Sequence, residues 1–147
     1  MRKITECLAV FGIGALGYPL LEIMWRGFSH WTMAVTGGLC LLFIYRLEAE
    51  YSAVPAWKKC AAGSLFITLC ELTVGFVVNI LLGWAVWDYS GLRLDLFGQV
   101  SLLYSCIWFV LCIPALYLCR KLRGGIGRIL ARVPEHSALL SQETLHR

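Results

Sequence analysis

The fold is decided by residues 60–82, CAAGSLFITLCELTVGFVVNILL. These 23 residues carry a single charged side chain, Glu71, near their midpoint. A helix needs roughly 17 to 25 apolar residues to cross the hydrocarbon core of a bilayer. The sequence therefore predicts a membrane-spanning helix with a carboxyl group at its centre.

That carboxyl group is the most informative side chain in the sequence. A carboxylate at such depth is costly unless it is paired or protonated, so a buried polar site is the default interpretation. Burial disfavours the charged form of Glu71, whereas a nearby arginine would favour it. Two interpretations stay open. Glu71 is either a structural residue, protonated or held by a partner, or a group that couples protons or cations.

Three other apolar runs accompany this one. The chain of 147 residues is 59% apolar and 15% charged, with a mean hydropathy of +0.73, whereas about a quarter of the residues of a soluble domain are charged. The predicted spans are residues 4–25, 30–47, 60–82 and 96–119, and the second reaches the needed length only with Ser29 as its cap. The sequence thus predicts an all-α fold, an integral membrane four-helix bundle over residues 1–119.

Basic residues set the predicted orientation. Eleven of the thirteen fall at the N-terminus, in the second loop or in the tail: Arg2, Lys3, Arg46, Lys58, Lys59, Arg120, Lys121, Arg123, Arg128, Arg132 and Arg147. By the positive-inside rule, both termini are expected in the cytoplasm, here of a bacterial cell with the protein in its cytoplasmic membrane. The net charge of +4 is then an orientation signal, and we expect no nucleic-acid partner.

Residues 120–147 are predicted to form a basic cytoplasmic tail. Gly124 and Gly125 are expected to break the helix before a short amphipathic helix that ends at Pro134. Its expected partner is anionic membrane lipid, with docking to a cytosolic protein as the alternative.

Small and polar side chains of the third span fall on one helical face. They recur every three or four residues, as Cys60, Ser64, Thr68, Glu71, Gly75 and Asn79. Weaker stripes are Ser29, Thr32 or Met33, Thr36 and Cys40 in the second span, and Gly98, Ser101, Ser105, Trp108 and Cys112 in the fourth. Such residues let helices approach closely and hydrogen-bond to one another. We expect these faces to point into the bundle, for packing or for lining a polar site.

The end of the first span carries a predicted charge pair. Glu22 and Arg26 are one helical turn apart, and Pro19 is expected to bend the helix beside them. The pair is either part of a binding site or an anchor at the membrane edge, where Trp25 and Trp31 mark an aromatic belt.

The third loop is too polar for hydrocarbon and unusually aromatic. It contains Trp87, Asp88, Tyr89 and Ser90, and Gln99 follows shortly afterwards. We interpret these residues as an outer gate over the bundle, with Asp88 or Ser90 capping a short helix.

No catalytic or metal site is predicted. The seven cysteines form no CxxC pair and mostly lie inside spans, so they are expected to be small packing residues. The three histidines are far apart in sequence, and no cofactor is expected. Glu22, His30 and Asp88 could meet in a lipid-modifying enzyme, but no nucleophile and base are suitably spaced, so we expect no enzymatic activity.

Several of these residues also carry a family resemblance. Trp87-Asp88-Tyr89-Ser90, then Gly98-Gln99, preceded by Glu71, Gly75 and Asn79, resembles the CmpB-like family of type IV ABC-transporter membrane proteins. In the first half, Glu22, Arg26-Gly27, His30-Trp31-Thr32-Met33 and Gly37-Gly38 are similar to the same family, and the resemblance spans about Gly17 to Cys112. Arg93 and Asp95 depart from its pattern, which more often has Pro and Asn there.

The resemblance implies a permease component. The sequence has no phosphate-binding glycine-rich loop, so an ATPase would be a separate subunit. The resulting hypothesis is a transporter component with a ligand or ion site built from Glu71, Asn79, Glu22 and Arg26. Four spans enclose little volume, so a homodimer or another membrane subunit is expected. The alternative is a structural or regulatory membrane module without transport activity of its own.

Overall fold

Four long helices make up the fold. The computed structural model describes the backbone of residues 2–145 and the side chains of residues 3–125. The elements are α1 (Arg2–Arg26), α2 (Trp31–Glu50), α3 (Ala56–Gly75), a π-helical turn (Phe76–Leu81), β1 (Asp95–Leu96), β2 (Val100–Ser101) and α4 (Leu102–Leu145). The two strands pair antiparallel as a small hairpin.

All four helices are long and apolar enough to cross a membrane. The candidate spans are Lys3–Arg26, Trp31–Glu50, Ala56–Leu81 and Leu102–Gly125. Many outward side chains are large and apolar, among them Leu16, Leu65 and Val110. Lipid chains solvate such a surface as well as a protein interior does. The prediction of four membrane-spanning helices is confirmed, and the chain is a multi-pass membrane protein.

The structure corrects the predicted limits of the fourth helix. It begins at Leu102 and not at residue 96, because Asp95 and Leu96 pair with β2 and Phe97 and Gly98 turn the chain with positive φ angles. It also continues through Gly124 and Gly125, where a break was predicted, since a helical glycine costs only about 1 kcal/mol. The expected amphipathic helix is therefore a continuation of α4. The side-chain faces of residues 126–147 lie outside the described residues.

Glycines let α1 and α2 pack in close contact. A Cβ atom on Gly14 would lie 2.4 Å from the carbonyl oxygen of Gly37, and one on Gly37 would lie 2.2 Å from Cβ of Tyr18. By contrast, α1 barely touches α4. The bundle is consequently tight on one side of α1 and open on the other.

The predicted polar stripe of α3 faces the bundle, and hydrogen bonds join it to α4. The Ser64 hydroxyl donates to the carbonyl oxygen of Ser105 at 2.6 Å, and the hydroxyls of Thr68 and Ser105 lie 2.9 Å apart. Cys40, Cys60, Cys112 and Cys119 are buried free thiols within the main apolar core. Burial agrees with the predicted packing role for these four, whereas Cys106 is exposed.

A charge cluster closes the end of the bundle opposite the hairpin. Glu48 on α2 pairs with Lys59 on α3, with Nζ and Oε2 2.5 Å apart, and with Arg120 on α4, with Nε and Oε1 2.6 Å apart. Lys59 is only 3% exposed. The cluster therefore ties three helices together at one point.

Candidate functional site

Glu71 is the central group of the candidate site. It is 3% exposed, and each carboxyl oxygen receives one hydrogen bond from another helix. The Tyr18 hydroxyl on α1 donates to Oε1 at 2.7 Å, and the Trp108 indole Nε1 on α4 donates to Oε2 at 2.9 Å. The carboxyl group thus joins α1, α3 and α4 at mid-span.

The two partners of Glu71 differ in what they can do. An indole N–H can only donate, so the Trp108 bond requires Oε2 to accept. A tyrosine hydroxyl can donate or accept a hydrogen bond. Oε1 can therefore accept a hydrogen bond from Tyr18 or, when it carries a proton itself, donate one to the Tyr18 oxygen. The site accommodates an ionised and a protonated carboxyl group with the same three side chains.

Aromatic stacking holds these partners in place. The rings of Tyr18 and Trp108 lie 5.2 Å apart with an interplanar angle of 26°. Tyr18 belongs to a second apolar cluster with Met33, Val78, Val86 and Trp87, and Trp108 packs against it. The donors to Glu71 therefore touch the residues that close the outer end of the bundle.

Asn79 ties the π-helical turn to the chain that follows it. Its Nδ2 donates to the carbonyl oxygen of Trp87 at 3.0 Å and to Oε1 of Gln99 at 2.7 Å. Its Oδ1 accepts from the backbone N–H of Val86 at 2.6 Å. Both the nitrogen and the oxygen of the Asn79 side-chain amide are thus hydrogen-bonded within the chain. Asn79 lies two helical turns from Glu71 along the same face.

Residues 83–101, here called the outer segment, are fastened by the same residues. Trp87 and Gln99 are buried, and Nε1 of Trp87 donates to the carbonyl oxygen of Gln99 at 2.9 Å. A Cβ atom on Gly75 would lie 2.5 Å from Oε1 of Gln99, so only glycine admits the outer segment this close to α3. Gly98 has a φ of +66° and faces Asp88 closely, which explains the glycine before Gln99.

Asp88 and Ser90 form a turn, and the predicted helix cap is wrong. Both the backbone N–H and the hydroxyl of Ser90 donate to the Asp88 carboxylate at 2.9 Å, and no helix begins there. These bonds hold the pKa of Asp88 below its ordinary value. Tyr89 stacks on Tyr104 at 4.5 Å, and burial raises its pKa.

The predicted pair of Glu22 and Arg26 is present, with Nη2 of the arginine 2.6 Å from Oε1. Glu22 also accepts from the hydroxyl of Ser29 at 2.5 Å, and Nη1 of Arg26 donates to the carbonyl oxygen of Val86 at 3.2 Å. Among the residues whose side chains the structure describes, the buried Nε of Arg26 has no hydrogen-bond partner. The pair fastens α1 to the outer segment through the bond from Arg26 to Val86.

The residues proposed from sequence therefore fall into two groups. Glu71 forms one site with Tyr18 and Trp108, whereas Glu22, Arg26, Asn79, Trp87 and Gln99 form a hydrogen-bonded cluster at the hairpin end of the bundle. The sequence did not identify Tyr18 or Trp108 as partners of Glu71. Trp108 did lie on the predicted stripe of the fourth span, which was the available signal. Glu22, His30 and Asp88 make hydrogen bonds with Arg26, Thr32 and Ser90, respectively.

Comparison with known proteins gives one family. The family described as "Putative ABC-transporter type IV" matches residues 6–140, nearly the whole chain. No curated protein and no solved structure gives a significant match. The resemblance carried by the Trp87–Ser90 and Gly98–Gln99 motifs is thereby confirmed.

Proposed function

We propose that this chain, which belongs to the family described as "Putative ABC-transporter type IV", is a permease component that works with a separate ATPase subunit. Glu71 is its ion- or ligand-coupling group, and the outer segment is its gate. We place it in a bacterial cytoplasmic membrane, and the distribution of basic residues supports an orientation with both termini in the cytoplasm.

The hydrogen bonding of Glu71 carries this proposal. A purely structural carboxyl group needs one fixed protonation state, but the Tyr18 hydroxyl can serve either state without moving the helices. Intramembrane carboxyl groups with such partners are typical of ion and substrate pathways. Loss or gain of a proton at Glu71 would reverse one hydrogen bond at the base of the outer closure.

The outer segment supports a gating role because few contacts close it. Asn79 holds Trp87 and Gln99 from the π-helical turn, and Arg26 holds Val86 from α1. These bonds connect separate helices to one segment, so separation of α1 from α3 would break at least one of the two attachments. Opening of the closure and a change at Glu71 would be coupled through Tyr18 and Trp87, which pack in the same cluster.

The test compares wild type with Glu71→Gln, Tyr18→Phe and the exposed control Glu50→Gln in native-lipid nanodiscs. Co-purifying proteins are identified by mass spectrometry, and the ATPase activity of any captured subunit is measured across pH. We expect Glu71→Gln to imitate the protonated acid, so that the complex assembles and the pH dependence is lost. Tyr18→Phe should shift the pH profile, and Glu50→Gln should leave it unchanged. Full activity with a wild-type pH profile in Glu71→Gln would refute the coupling role.

One observation favours the alternative, a structural or regulatory module. Glu71 joins three helices, and a role confined to packing would satisfy the same bonds. In that case Glu71→Gln would chiefly lower stability, by about 1–2 kcal/mol for one weakened interhelical bond. No ATPase would depend on the chain, and the capture experiment would return an assembled but inactive protein.

Oligomeric state is tested separately. We propose a homodimer or a pairing with another membrane subunit, since four spans enclose little space for a pathway. Native mass spectrometry from nanodiscs should give a dimer or a hetero-complex. A monomer without partners at low protein-to-lipid ratio would contradict this assembly.

A further inference from the structure

A groove of about 530 Å³ runs between α1, α2 and α4. Its wall includes the stacked rings of Tyr18 and Trp108, and apolar side chains make up most of the rest. It exists because α1 packs on α2 through glycines and barely touches α4. The two donors to Glu71 thus have their rings in the groove wall and their polar atoms bonded to the carboxyl group.

The groove opens sideways toward lipid. Leu20 and Met24 of α1 lie at its edge and are 60% and 84% exposed, and Leu118 of α4 is exposed at the other edge. All three belong to membrane spans. A molecule can therefore enter from the hydrocarbon core without passing through the outer segment.

Its dimensions match a single hydrocarbon chain. Between Ile13 and Met24 the groove follows α1 for about 16 Å at a rise of 1.5 Å per residue, and one leaflet contributes about 15 Å of a 30 Å core. At roughly 30 Å³ per small group, its volume holds about 15–20 methylene-sized groups. A helix, about 10 Å across with its side chains, is too thick to occupy it.

From this geometry we infer that the groove binds the acyl chain of a membrane phospholipid, and that such an amphiphile is the substrate class of the transporter component. Water does not fill apolar cavities, and an empty groove would forfeit dispersion contacts along its whole length. The acyl chain lies against the Tyr18–Trp108 stack, so its presence affects the hydrogen bonds of Glu71. The assignment of a phospholipid as substrate rests on the proposed function, whereas binding of the acyl chain does not depend on that function.

Two glycines of α1 provide a matched test. Gly17 lines the groove and Gly12 does not, and a Cβ atom on either would meet nothing within 4 Å. Gly17→Leu should therefore extend into the groove with no clash at its Cβ atom, while Gly12→Leu makes the same chemical change elsewhere on the helix. The full chain is placed in nanodiscs containing phosphatidylcholine with a photoreactive diazirine at mid-chain, and cross-linked peptides are mapped by mass spectrometry.

We expect labelling near Trp108 and Leu118 to fall roughly three- to tenfold in Gly17→Leu and to stay at the wild-type level in Gly12→Leu. Equal labelling in both variants, or uniform labelling of all lipid-facing peptides, would show ordinary lipid contact only and overturn the proposal. So would protein–protein cross-links between groove residues of two copies, formed by a bifunctional reagent added to the same nanodiscs.

A second measurement separates this proposal from the proposed function. Glu71→Gln should keep wild-type labelling of the groove while losing the pH dependence of the captured ATPase. If the label is kept and Glu71→Gln has no effect on activity, the acyl-chain site stands and the coupling role fails. If Glu71→Gln abolishes pH dependence while Gly17→Leu changes neither labelling nor activity, the acyl-chain site fails and the coupling role stands.

Discussion

Glu48→Gln should destabilise the protein by more than the loss of one negative charge would suggest. The substitution removes one charge and keeps the shape of the side chain. Lys59, 3% exposed, would then hold a buried ammonium group without its carboxylate. Breaking a buried ion pair in this way costs about 3–5 kcal/mol, because the remaining charge is left uncompensated.

Arg120 adds little to this estimate. Its side chain is 52% exposed, and an ion pair in that setting contributes about 0–1 kcal/mol. The cluster lies at the end of the bundle, where the surroundings are more polar than at mid-span, so we expect a loss near the lower bound of about 3 kcal/mol. Arg120→Gln should cost less than about 1 kcal/mol.

The assay is the free energy of unfolding in mixed micelles, obtained by titration with sodium dodecyl sulfate. Glu50→Gln is the matched control, since it makes the same change at an exposed position two residues further along α2. That control should stay within about 0.5 kcal/mol of wild type. Replacing both members of the buried pair, Glu48→Met with Lys59→Met, should recover most of the loss, because apolar residues of similar volume often substitute for a buried ion pair. If Glu48→Gln and Glu50→Gln unfold alike, the reasoning on the buried cluster is refuted.

Three further outcomes are expected. Gly75→Ala should loosen the outer segment and expose its backbone amides to hydrogen exchange. Gly12→Ala, whose added methyl group meets nothing within 4 Å, should leave exchange unchanged. Equal exchange in the two variants would contradict the close approach of the outer segment to Gly75. Thr68→Val, which removes a hydroxyl 2.9 Å from that of Ser105, should cost about 0.6 kcal/mol of unfolding free energy, and no measurable change would mean that this bond contributes nothing. In the folded protein the pKa of the Asp88 carboxyl group is held low by its bonds to Ser90. The stability that these bonds give the turn is therefore present above the unfolded pKa of about 4 and is lost as pH falls through the folded pKa. Hydrogen exchange of the turn should rise in acid, and Asp88→Asn should remove that pH dependence.

Periodicity was sufficient to predict which faces of the helices point inward. Ser64, Thr68 and Glu71 lie on one stripe of α3, and the structure places that stripe against α4. Such a stripe follows from the 3.6-residue turn and needs no knowledge of neighbouring helices. The spacing of Glu22 and Arg26 predicted their contact for the same reason.

Contacts between distant parts of the chain were beyond this reasoning. The bond from Tyr18 to Glu71 crosses 53 residues, and the pair of Glu48 with Lys59 depends on how α2 and α3 meet. Lys59 looked like a loop residue that sets orientation, yet it is buried. The start of α4 was misplaced because Leu96 and Phe97 continue the apolar run, whereas backbone pairing turns them into a hairpin. Hydropathy cannot distinguish an apolar hairpin from the first turn of a helix.

The Tyr18–Trp108 stack is where the proposed functions meet. One side of the pair forms the wall of the apolar groove, its polar atoms hold Glu71, and Trp87 of the outer segment packs in the same cluster. An acyl chain bound in the groove contacts the two rings. Protonation of Glu71 changes which oxygen is the donor in the hydrogen bond between Tyr18 and Glu71. Both events act on the same two side chains, so a substrate that interacts differently with the two hydrogen-bond arrangements would couple them. A substrate that binds more tightly to one protonation state of Glu71 must shift that protonation by the same factor, and the outer segment, packed on the pair, is the element positioned to respond.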